Sequence, residues 1–223
     1  MGRKAYMCEL ESIRQKTIAM GNLTVEAVRL AADALVTNNT ETAAKVRLLE
    51  KQVDELYLQI DDHCIVSIAK QQPMAGDLRF LISTIKIATE IERIADYANN
   101  IAKKVIKKFS LQDMSHIASL KSNVELMAQE ASGMLSDAMR SYEVNNADLA
   151  AMVHKRDAIV NRLNKDMFRG LMAMVMVSPY SGELALDFHV AVRYLERVAD
   201  RSTNVAEWVY YSATGYRFPD TKK

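Results

Sequence analysis

Ile91-Glu92-Arg93-Ile94-Ala95-Asp96-Tyr97-Ala98-Asn99-Asn100-Ile101-Ala102 decides the fold, because the chain carries a second version of it, Leu195-Glu196-Arg197-Val198-Ala199-Asp200-Arg201-Ser202-Thr203-Asn204-Val205-Ala206. Aligned without a gap at an offset of 104, the fourteen positions 92–105 and 196–209 share seven identities, where unrelated stretches share about one. The chain is an internal duplication. Apolar residues recur at three- and four-residue steps in both copies, the period of an amphipathic helix. Glu92 and Asp96 fall one turn apart on a stripe away from that apolar face, continued by Asn99 and Lys103, and Glu196 and Asp200 occupy the same stripe in the second copy. Two carboxylates one turn apart repel each other, so each pair calls for a positive partner.

Working outward from this repeat, the spacing predicts a first helix over 5–35, interrupted by Gly21 without being ended. Asn38-Asn39-Thr40 closes it, with Thr40 as the expected cap of a second helix over 41–70. Gln72-Pro73-Met74-Ala75-Gly76-Asp77 breaks the chain, since Pro73 removes a backbone donor and restricts the residue before it. A third helix is expected to start at Asp77 and run to 109. A short connection, 110–115, then leads into a repeat of the pattern: a fourth helix over 117–142, Asn145-Asn146 in the role of Asn38-Asn39, a fifth helix over 148–177, a Pro179-to-Glu183 turn, and a sixth helix ending near Ser212. The turn lies at an offset of 106 rather than 104 from its counterpart, so the sixth helix is expected to enter its bundle with a different rotation. The expectation is an all-α chain of two tandem up-down-up three-helix bundles, residues 1–110 and 111–223, packed closely together.

Composition fits this and removes several classes of function. Twenty-nine Lys plus Arg against twenty-eight Asp plus Glu leave no basic excess for displacing phosphate counterions, which argues against a nucleic-acid binder. Cys8 and Cys64 lack metal-like spacing and point to a reducing compartment. The N-terminus leads into amphipathic helix, and the most apolar window, 171–177, has seven residues against roughly 20 for a membrane span. A cytoplasmic protein is expected. His63, His116, His154 and His189 form neither Glu-x-x-His nor His-x-x-x-His, and no phosphate loop, nucleophile elbow or Cys-x-x-Cys occurs, so no catalytic nucleophile is nominated. The methionine-rich run 172–177 reads as pliable core or as a pliable partner surface.

The acids carry the remaining chemistry. The second helix presents Glu50 and Asp54, again four apart, and in an antiparallel hairpin they come level with Glu92 and Asp96: Glu50 lies 23 residues before Pro73 and Glu92 lies 19 after it. Such an oxygen-rich group suits hard cations such as magnesium, calcium, manganese or oxidised iron. The second half offers Asp157, Glu196 and Asp200, with Asn161 in place of the fourth acid, and is expected to bind more weakly. Acids four apart are also common on polar helix faces, where Arg93, Arg197, Lys51 or Lys103 would simply screen them. A metal-dependent helical-bundle enzyme and a purely structural helical protein remain as rival readings.

Several motifs occur in order, and twice. Gln72-Pro73 with Asp77-Leu78-Arg79, Glu92-Arg93-Ile94-Ala95-Asp96 with Asn100-Ile101-Ala102, Glu196-Arg197-Val198-Ala199-Asp200 with Asn204-Val205-Ala206-Glu207, Met20-Gly21 and Thr214-Gly215 together resemble the PhoU family, the phosphate-uptake regulators of bacteria. The resemblance spans nearly the whole chain. It implies a cytoplasmic, non-enzymatic adaptor, often dimeric, that restrains a phosphate-specific ABC transporter and works with a sensor histidine kinase, meeting the membrane through these partners. It also implies a multinuclear metal cluster, iron first and manganese, magnesium or calcium as alternatives. The ligands would be Glu50, Asp54, Glu92 and Asp96 in one half, and Asp157, Glu196 and Asp200 in the other, where Asn161 departs from the family's acid. Relatives serving other ion transporters are a further alternative.

Overall fold

The computed structural model describes residues 3–219, and within them the chain forms six long helices and no strand. They are α1 (Arg3–Thr37), α2 (Thr40–Gln71), α3 (Ala75–Lys107), α4 (Lys121–Glu143), α5 (Ala147–Val177) and α6 (Gly182–Thr214). Short 3-10 segments cover Phe109–Leu111, Met114–Leu120 and Pro179–Ser181.

Three starts differ from the sequence expectation, each for a local reason. The cap of α2 is Asn39 rather than Thr40: the Asn39 side chain accepts from the amides of Glu41 and Thr42, and Asn146 does the same for Asp148 and Leu149 at the start of α5. Before each cap the chain turns through the left-handed region, at Asn38 (φ 55°) and Asn145 (φ 49°), a conformation that asparagine tolerates well. Helix α3 starts at Ala75, with Asp77 in its first turn instead of at its cap. The expected beginning of the fourth helix is a 3-10 segment, because Met114, Ile117 and Leu120 repeat every three residues and all three are buried. That spacing stacks side chains on one face of a 3-10 helix, and α4 begins where it relaxes to the α period.

The burial pattern separates inner from outer helices. On α2, Val46, Val53, Ile60 and Ser67 are buried at seven-residue steps, a narrow seam, and α5 repeats it with Val153, Val160 and Met167. The α1, α3, α4 and α6 faces are broader because each packs against three neighbours. Helix α2 lies along α1 and α3, α5 lies along α4 and α6, and the halves meet through α1 against α4 and α3 against α6. Both inter-half contacts are antiparallel: Arg14 donates to the Tyr142 carbonyl while Arg29 reaches Ser132, and Lys104 pairs with Asp187 while Glu90 pairs with Arg201. Gly21 marks the close crossing of α1 and α4, since a Cβ there would stand 2.7 Å from Met139.

One continuous apolar core runs through both halves. Phe109 and Phe188 meet edge to face at 6.1 Å across the seam, and Tyr97 stacks on Tyr194 at 5.8 Å. The buried Tyr142 hydroxyl pairs with Thr84 at 2.8 Å, and burial pushes its pKa up to about 12. Both cysteines are free; Cys64 is buried, which pushes its thiol up to about 12 and leaves it an inert core group. The methionine run is divided by the helix, with Met174 and Val175 against the core and Met172, Met176 and Val177 exposed. None of the helices in the described residues is long and apolar enough to cross a membrane.

Candidate metal centre

The antiparallel packing of α2 on α3 brings Glu50, Asp54, Glu92 and Asp96 together, close enough that the neighbouring carboxylates act on Asp54 and Glu92. Burial, then Glu50 and Asp96, raise the Asp54 carboxyl above its ordinary value. Burial also leads in raising Glu92, followed by Asp96 and Asp54, with Arg93 opposing and Glu50 adding. Arg93, the charge that opposes the rise at Glu92, also lies 3.7 Å from Glu90, and Arg201 lies 3.1 Å from the Glu90 carboxylate. All four acids are half-buried, so the stripe runs along the flank of the α2–α3 contact and not on an open polar face as its helical angle alone implied.

Asn99, one turn beyond Asp96, is 3% exposed. Its amide donates to Glu50 Oε1, and its own Oδ1 is buried without a partner. Sequence reading placed Asn99 on the acidic stripe and missed its burial. Its i−4 and i+3 neighbours, Ala95 and Ala102, are both apolar, which was the available sign that the position borders the core.

The second half is arranged differently. Asn161 Nδ2 donates to Asp157 Oδ2 at 2.7 Å, so the residue that replaces the fourth acid occupies one oxygen of its partner, while Asp157 Oδ1 is buried and unpartnered. Glu196 lies 3.6 Å from Arg193 and borders a groove with His189, whereas Asp157 and the exposed Asp200 border a separate cleft of about 740 Å³. That cleft also contains His154, Arg197, Arg201 and the tail residue Phe218, which stacks on His154 at 4.2 Å. Arg197 reaches over Tyr97 and Tyr194 at the seam, at 5.7 and 6.0 Å, a role its sequence position did not announce.

Among the described residues, no three Asp, Glu, His or Cys side chains close into a geometry that would hold a metal ion as they stand. The donor chemistry of the first set nonetheless fits a hard cation. Its carboxylates repel one another, and a buried amide oxygen beside them has no donor.

A duplicated six-helix protein, with acid pairs repeated on its hairpins, is the class that fold and site define. The family model for the PhoU domain matches residues 17–105 and again 124–209, and the chain belongs to that family. The phosphate-specific transport system accessory protein PhoU homolog of Pseudomonas aeruginosa is 33% identical over 214 residues, covering 94% of this chain and 86% of that protein. The crystal structure of PhoU from Pseudomonas aeruginosa superposes with a TM-score of 0.88 at 31% identity, over 95% of this chain and 100% of that one. The phosphate transport system regulatory protein PhoU from Streptococcus pneumoniae shares the fold, with a TM-score of 0.83 at 23% identity over 96% of this chain and 99% of that one.

Proposed function

We propose that the chain is a cytoplasmic, non-enzymatic regulator of phosphate uptake and phosphate-starvation signalling, acting as a metal-binding adaptor between a phosphate ABC transporter and a sensor histidine kinase. The observation that carries this reading is the match, over 94% of this chain and 86% of the Pseudomonas aeruginosa relative, to proteins named as accessory proteins of the phosphate-specific transport system. Each matched PhoU domain falls within one of the segments 1–110 and 111–223, which we take as the two repeat units. The functional unit is a homodimer held at the membrane through its partners.

The metal part rests on the first acidic set. Glu50, Asp54, Glu92 and Asp96 would hold the cations, with Asp157, Asn161, Glu196 and Asp200 as a weaker second set. A bound cluster, iron first and manganese, magnesium or calcium as alternatives, would supply positive charge that turns a repelling acidic surface into one accepting phosphate or acidic partner groups. The protein's own contribution is to hold those carboxylates on two rigid helices whose register is fixed by the continuous core.

The test is complementation of a bacterial strain lacking its own homologue, read by a phosphate-starvation reporter and by co-purification. The wild-type chain is expected to restore repression in high phosphate and to retain transporter and kinase subunits. Glu92→Ala plus Asp96→Ala is expected to lose repression while keeping its helical signal. A wild-type chain that neither represses nor retains either partner contradicts the regulatory reading, and full repression by the double variant contradicts the metal part.

A further inference from the structure

We propose that Asn99 is a fifth oxygen ligand of the first acidic set, specific to this half of the molecule. The inference rests on the metal-binding reading above and extends it to a residue outside the repeated acid pairs. The amide of Asn99 is oriented by charge: only its N–H end is attracted to Glu50, since the reverse orientation would set two oxygens face to face. That leaves Oδ1 as the free end, on a side chain that is 3% exposed, with no protein N–H or O–H reaching it. A buried carbonyl with no donor is an unfavourable arrangement in a folded protein. Of the species that would satisfy this one, a hard cation drawn in by the adjoining carboxylates is the one that the surrounding charge favours, and neutral amide oxygens are ordinary ligands of such ions.

The repeat supplies an internal control. At the offset of 104, Asn99 corresponds to Thr203. The Thr203 hydroxyl donates to the Asp200 carbonyl at 2.7 Å, so its hydrogen is committed to its own helix backbone. Thr203 is also partly open to solvent, so the second half has no buried, unpartnered oxygen at this position. Asn99 acts in two ways at once: its amide N–H fixes the Glu50 carboxylate, and its oxygen completes the donor set.

The experiment separates these two roles. Mn2+ is titrated into the full, chelator-treated chain and followed by the electron paramagnetic resonance signal of the free ion, alongside metal-free melting of each variant. Asn99→Ala is expected to weaken Mn2+ binding at least about tenfold, the scale on which removal of groups supporting a metal site is felt. Asn99→Asp keeps an oxygen in place while losing the donor to Glu50. It is expected to bind Mn2+ at least as tightly as the wild type and to melt at a lower temperature without metal, because a fifth negative charge joins the cluster. Thr203→Ala is expected to leave first-site affinity unchanged, and Asn99→Ser takes the place of the alanine variant if the latter fails to show wild-type helicity.

Unchanged binding in Asn99→Ala overturns the assignment, as does an equal loss in Thr203→Ala. Loss in Asn99→Asp equal to that in Asn99→Ala overturns the ligand role and leaves Asn99 as a positioning residue for Glu50 only. A wild-type chain that binds no Mn2+ overturns this assignment; the metal reading itself falls only if elemental analysis of the chain purified without chelator also finds no iron.

Discussion

The two halves share their helix order, their asparagine caps and an acid pair on the third helix of each, but they use their acids differently. On α2 and α3, four half-buried carboxylates come together, and their neighbours raise Asp54 and Glu92, with Arg93 as the opposing charge at Glu92. On α5 and α6, one acid is bonded to Asn161, another lies beside Arg193, and the cleft that contains Asp157 and Asp200 is bordered by His154, Arg197, Arg201, Phe218 and Pro219. The two halves share one continuous core, whereas the acid faces lie at its edge and differ between them.

That contrast can be tested from its strongest consequence downward. If the halves share a core, Phe188→Ala is expected to destabilise the whole chain by about 3–5 kcal/mol, the cost of removing a buried phenyl ring. Urea denaturation followed by circular dichroism should then show one transition shifted as a unit; two separated transitions would mean that the halves fold independently. The caps form a matched pair, so Asn39→Ala and Asn146→Ala are each expected to cost about 1 kcal/mol. Unequal losses, measured in the same way, would show that the halves contribute differently to the shared transition.

A smaller effect separates the acidic sets. Asp54 and Glu92 have raised folded pKa values, so between the ordinary value and the raised one the folded protein binds more protons than the unfolded chain. The metal-free protein should therefore lose stability as pH rises above 3.8 for Asp54 and 4.5 for Glu92, through their raised values. Glu92→Gln is expected to flatten that slope and to stabilise the metal-free protein near neutrality by about 0.2–0.5 kcal/mol, the scale of relieving a like-charge pair one turn apart. Melting curves across this pH range check it, and a stability loss in Glu92→Gln at neutral pH would show that something already neutralises the cluster.

The repeat at 92–105 and 196–209 made the six helices legible, because seven identities at a fixed offset leave little freedom for any other architecture. Helix periodicity also brought the α2 and α3 acids level, since an antiparallel hairpin fixes height from residue counts alone. Rotation was less legible. The angle of Glu92 about its own helix could not show that α2 crosses beside it, leaving the acids half-buried and Asn99 enclosed. Nor could periodicity distinguish a 3-10 start at Met114–Leu120 from an α-helical one, because three buried residues at three-residue spacing fit both until the packing is known. The contacts across the seam, Arg201 with Glu90 and Arg197 over Tyr97, join residues more than ninety positions apart that no local pattern connects.

The most direct test of the claim that the first half holds the metal is elemental analysis of the full chain purified without chelator, comparing Glu92→Gln plus Asp96→Asn with Glu196→Gln plus Asp200→Asn. The wild type is expected to carry metal, the first double variant to lose most of it, and the second to retain most of it. A wild-type chain without metal, or equal retention in the two double variants, would contradict that claim.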